Sequence, residues 1–68
     1  MTPLERVRSI PGITATGNDK EIRVNAVDFY LVARNYTGKW HFIDEQCSVP
    51  KASYHLTLRK IIHDTLNP

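Results

Sequence analysis

The chain has 68 residues, 41% of them apolar and 24% charged, with nine Lys and Arg against seven Asp and Glu for a formal net charge of +2. That balance is far from the signature of a disordered chain, and the length confines residues 1–68 to one small domain, which buries only about 60% of its unfolded surface. No membrane partner is expected either, since no run approaches the ~18 apolar residues of a spanning helix, the longest being Phe29 to Ala33.

Thr2-Pro3-Leu4-Glu5 has the form of a capping box, with Pro3 at the first helical position. Leu4, Val7 and Ile10 then share one helical face until Pro11-Gly12 stops the helix. The charges Glu5, Arg6 and Arg8 stand where a signal peptide would need an apolar run. With a single cysteine, Cys47, which cannot form an internal disulfide, the expected compartment is cytoplasmic. The sequon Asn35-Tyr36-Thr37 then has no glycosylation route.

From Ile13 the pattern turns β-like. Ile13 to Thr16 reads as a short strand, Gly17-Asn18-Asp19 as a turn, and Glu21 to Val24 as an alternating strand. Apolar parity shifts at Asn25-Ala26, from Ile22 and Val24 to Val27, Phe29, Leu31 and Ala33, which a bulge or a tight connection would explain. A helix capped by Asn25 competes over this stretch, but the run of aromatic and branched residues from Val27 to Val32 suits a strand buried on both faces better.

Asn35-Tyr36-Thr37-Gly38 is the clearest turn signal and reads as a four-residue hairpin loop ending on Gly38. Closing it with Arg34 against Lys39 pairs Ala33 with Trp40, Val32 with His41, Leu31 with Phe42 and Tyr30 with Ile43. Phe29, Leu31, Ala33, Trp40 and Phe42 then form the core face. A loop from Asp44 to Val49 follows, and Pro50 opens a helix to about Leu66 with Tyr54, Leu58, Ile61, Ile62 and Leu66 on its apolar stripe. Tyr54-His55-Leu56-Thr57-Leu58 also alternates as a strand would, so residues 52–58 stay open between helix and strand. The expected fold is α+β: a short N-terminal helix, a three- to four-stranded antiparallel sheet, and a C-terminal helix, with both helices on the core face in two layers.

For chemistry the chain offers little. His41, His55, His63 and Cys47 lack the paired spacing of metal ligands, so no metal or other cofactor is expected. Cys47, Ser48 or Ser53 could be combined with a histidine and Asp44 or Asp64, but no nucleophile elbow or phosphate-cradling loop is present. The reading is therefore a non-enzymatic protein with no catalytic residues and no small-molecule substrate.

Binding is the remaining class. The expected register sets Tyr30, Val32, His41 and Ile43 side by side opposite the core, a face too apolar to stand idle in water unless a helix covers it. Those four residues are the candidate site for a protein partner or for self-association, as in a regulator or inhibitor of the kind carried by phages and other mobile elements. The alternative is nucleic acid. Arg34 and Lys39, expected to face each other across the hairpin, would be relieved by a phosphate, with Tyr36 as a stacking ring and Arg23, Arg59 and Lys60 as further cations. A hairpin carrying Gly38-Lys39-Trp40 followed by a helix resembles, in layout, the three-stranded DNA-binding sheet of integrase arm-binding domains. It lacks their run of basic sheet residues, so no functional residue carries over.

Overall fold

The computed structural model describes residues 2–47 and 53–68. Six elements follow in order: α1 (Pro3–Arg8), β1 (Thr14–Gly17), β2 (Glu21–Ala26), β3 (Phe29–Tyr36), β4 (Lys39–Cys47) and α2 (Ser53–Leu66). The strands form one antiparallel sheet in the order β1-β2-β3-β4, each paired with its sequence neighbour.

The capping box of α1 is present in full. Glu5 N donates to Thr2 Oγ1 at 3.2 Å, and Thr2 N donates to Glu5 Oε1 at 3.2 Å, so each residue satisfies an amide that the helix start would leave open. The bonds that Glu5 Oε1 accepts, from Thr2 N and from Thr2 Oγ1 at 2.9 Å, favour the ionised acid and hold the Glu5 carboxyl below its ordinary range. Gly12 then reverses the chain with φ 82°.

The first hairpin forms where expected, but the strand starts at Thr14 and Gly17, expected in the turn, ends it opposite Ile22. Asn18 Oδ1 accepts from the amides of Lys20 and Glu21 at 2.8 and 3.1 Å, an internal bond pattern that closes the turn without help from the core. The parity shift after Val24 proves to be a tight connection. β2 runs on to Ala26, which pairs with Phe29 across Val27 and Asp28, the latter at φ 59°.

The second hairpin differs from expectation in register. Its connection is only Thr37-Gly38, at φ 51° and 88°, so Tyr36 pairs with Lys39, Asn35 with Trp40, Arg34 with His41 and Ala33 with Phe42. Positive φ at both central residues is the turn whose twist matches the flanking strands, and Gly38 N donates to Asn35 Oδ1 at 2.9 Å to hold it. A β-bulge follows between Val32 and Ala33, placing Val32 against Asp44, Leu31 against Glu45 and Tyr30 against Gln46. None of the four expected cross-strand pairs forms. The stretch from Asp44 to Cys47, expected as the start of a loop, instead continues β4.

Parity survives the shift, because the turn moved the register by an even number of residues. Leu31, Ala33 and Trp40 still point to one side with Ile22 and Val24, and all five are 4% exposed or less. Both helices pack on that side: Val7 from α1 and Leu58, Ile62 and Leu66 from α2 complete one buried cluster. The two-layer α+β arrangement is thus the one the pattern implies. Residues Ser53–Leu66 are helical, which removes the strand alternative for 53–58; the expected start at Pro50 lies outside the described residues. Ile61, expected on the apolar stripe, is 43% exposed. Among the described residues no helix is long and apolar enough to cross a membrane.

Candidate functional site

With both helices on one side, the other side of the sheet carries no described element. The ladder places Thr14 and Thr16 of β1, Glu21, Arg23 and Asn25 of β2, Tyr30, Val32, Arg34 and Tyr36 of β3, and Lys39, His41, Asp44 and Gln46 of β4 on this open face. Alternation from Phe42 adds the bulged Ile43, which is 43% exposed. Tyr30, Val32, His41 and Ile43 therefore do share the face opposite the core, although not as the direct pairs expected.

At the centre lies Val32, only 6% exposed although no helix covers it. Arg23 and Asp44 flank it across the ladder, and Tyr30 and Arg34 flank it along β3. Around this apolar floor stand half-buried Tyr30 and exposed Ile43, Tyr36 and His41. The Tyr36 and His41 rings meet at 5.7 Å between centroids, tilted by 60°.

The charges are arranged otherwise than expected. Arg34 does not oppose Lys39. It opposes His41 and donates from Nη2 to Glu21 Oε1 at 2.8 Å, while Arg23 Nε lies 3.4 Å from Glu21 Oε2. One carboxylate is thus shared by two guanidiniums. The Arg34 hydrogen bond is the main reason the Glu21 carboxyl sits below its usual range, and Glu21, followed by the Tyr36 phenol, raises Arg34 in turn. The cross-strand repulsion that would have called for a phosphate is absent.

The other two expected cations do not join the site. Arg59 and Lys60 belong to α2, on the far side of the sheet. Arg59 Nε lies 3.0 Å from a Glu45 carboxylate oxygen and its guanidinium sits 4.9 Å over the Phe42 ring; Lys60 Nζ lies 3.2 Å from Asp64 Oδ2. The six proposed cationic and stacking residues are therefore split, with Arg23, Arg34, Tyr36 and Lys39 on the open face and Arg59 and Lys60 across the core. The open face carries three cations, Arg23, Arg34 and Lys39, against the carboxylates of Glu21 and Asp44.

Glu21 and Asp44 are the charged residues of the open face that the sequence reading did not place there. Glu21 could have been suspected from its alternation with Arg23 in β2, but Asp44 reaches this face only through the bulge. Among the described residues no three His, Cys, Asp or Glu side chains converge as metal ligands. One shallow depression of about 290 Å³, lined by Gly12, Thr14, Asn25, Ala26 and Val27, opens widely to solvent and holds no titratable group. No protein-family description, curated protein or solved structure matches the chain.

Proposed function

We propose that this chain is a small non-enzymatic binding protein that regulates or inhibits a protein partner by docking it on the open sheet face, with Tyr30, Val32, His41 and Ile43 at the centre of contact. The observation that supports this reading is the segregation of both helices to one side, which leaves exposed Ile43 and Tyr36 and half-buried Tyr30 around an already dry Val32. Closing a partner over Ile43 and the tyrosines removes apolar surface from water, which drives association, and tyrosine and arginine are the residue types over-represented among interface hot spots. The Glu21 clamp adds to this by holding Arg23 and Arg34 in place, so less side-chain freedom is lost when a partner arrives. A lone, half-buried Cys47 suits a reducing, cytoplasmic setting.

A second reading, contact with nucleic acid, is favoured by Lys39 standing at the hairpin tip beside the Tyr36–His41 ring pair. The near balance of charge on the face weighs against it, since nucleic-acid sheets gather cations.

The experiment is partner capture with wild type, Tyr30→Ala and Ile43→Asp at matched circular dichroism, beside sedimentation with a mixed-sequence oligonucleotide at low and physiological salt. A specific protein retained by wild type and lost from both variants is the expected result. Equal retention by all three would sink the reading. A salt-sensitive oligonucleotide complex that disappears in the Arg34→Glu, Lys39→Glu double variant would replace it with the second.

A further inference from the structure

A sheet edge presents unpaired amides and carbonyls to any other strand, and both edges of this sheet carry a side chain seated on the main chain. On β1, Arg8 Nε donates to Ala15 O at 2.9 Å. On β4 the closure is two-sided: Trp40 N donates to Asn67 Oδ1 at 2.9 Å, and Asn67 Nδ2 donates to Trp40 O at 3.0 Å. A carboxamide carries the donor and acceptor of a peptide group. Asn67 therefore makes with Trp40 the reciprocal pair of bonds that an adjacent antiparallel strand would make.

Trp40 is available for this because of the turn. A two-residue connection makes Tyr36 and Lys39 the hydrogen-bonded pair, so Trp40, one residue on, turns its N–H and C=O away from β3, and Phe42 does the same before the bulge. Asn67 is pre-positioned to meet it. Its own N donates to His63 O at 2.9 Å, and the preceding Leu66 is 3% exposed in the core.

We propose that Asn67 is an edge guard, a strand mimic that keeps β4 from pairing with β4 of a second copy of this chain. The second copy is the natural occupant because an antiparallel edge is self-complementary about a two-fold axis: each donor meets an acceptor of the identical, reversed edge. Trp40 opposite Phe42 of the second copy engages both outward-facing residues and brings the two rings together on the core side, while the two His41 side chains meet on the open face. The guard acts on the edge and is independent of docking on the open face.

The test is Asn67→Ala, with sedimentation over a concentration series and hydrogen exchange at the Trp40 amide. In dilute solution that amide should exchange about tenfold faster than in wild type, the effect of losing one hydrogen bond. At higher concentration the variant should dimerise where wild type does not, with protection returning at Trp40. Adding Tyr30→Ala, on β3 and away from the edge, should leave that dimer intact, which separates it from any association through the open face. Asn67→Asp retains the acceptor for Trp40 N–H but loses the donor to Trp40 O, so it should protect the amide yet associate to an intermediate degree; it carries the test if the alanine variant does not fold. A folded Asn67→Ala protein that stays as dispersed as wild type, or a dimer with Trp40 still exchanging freely, would overturn the proposal.

Discussion

Gly17 and Gly38 both sit at positive φ, yet replacing each with alanine should have different consequences. At Gly38, with φ 88°, an added Cβ meets nothing within 4 Å, so the cost is backbone strain alone, about 1–2 kcal/mol. At Gly17, with φ 136°, the Cβ would run into the carbonyl oxygen of Glu21 and come within 2.9 Å of Ile22 Cα. Both are main-chain atoms of the paired strand, so relief requires β1 and β2 to move apart. That overpacking adds about 1–3 kcal/mol. At roughly 0.05–0.15 kcal/mol per residue, the whole domain has about 3–10 kcal/mol to lose. Each kcal/mol shifts the melting midpoint of a domain this size by about 4–8 °C, so Gly17→Ala should melt roughly 4–24 °C below Gly38→Ala. Paired thermal and urea unfolding followed by far-ultraviolet circular dichroism measures this. Equal midpoints for the two variants would refute the close approach of β2 to Gly17.

On α2 the adjacent residues Ile61 and Ile62 separate the packed face from the free one. Ile62, fully buried, should cost about 2–5 kcal/mol when cut to alanine, and Ile61, 43% exposed, should change urea stability by no more than ~0.5 kcal/mol; a reversed order would show that the helix docks on another face. Acid unfolding follows from Glu5, Glu21 and Asp64, whose carboxyls are lowered chiefly by hydrogen bonds from Thr2, Arg34 and His63 respectively. A depressed folded value contributes stability above the unfolded carboxyl range, about pH 4, and that contribution is lost as pH falls through the folded values. Stability should therefore decline as pH drops below about 4, less steeply in Arg34→Leu, and a stability that rises between pH 5 and 3 would contradict the assigned partners.

Much of this fold could be read locally. The capping box of α1 needs only Thr2, Pro3 and Glu5, all within one turn, and the first turn needs only Asn18 and the amides of Lys20 and Glu21. Two-residue alternation was enough to sort Leu31, Ala33, Trp40 and Phe42 from Tyr30, Val32 and His41, because a register shift of two leaves every side chain on its own face. The exact pairing was not legible. Asn35-Tyr36-Thr37-Gly38 offers more than one way to turn, and the one adopted puts Thr37, a β-branched residue, at φ 51°. Residues with branched Cβ rarely take that conformation, so propensity pointed to a longer loop. The bulge at Ile43 left no mark in the pattern either, and it is what lengthens β4 and sets Asp44 beside Val32.

Composition, caps and alternation by themselves determined that this is a two-layer α+β domain with a defined core face, since each of those signals acts between residues a few positions apart. Which charges meet was decided only by the tertiary structure. Arg34 finds Glu21 thirteen residues away, Arg59 finds Glu45 fourteen away, and Asn67 finds Trp40 twenty-seven away. Such contacts depend on register, and register is the collective result of turn geometry, the bulge and core packing. A local pattern can name the residues of a face, but it takes the paired sheet to say which of them meet.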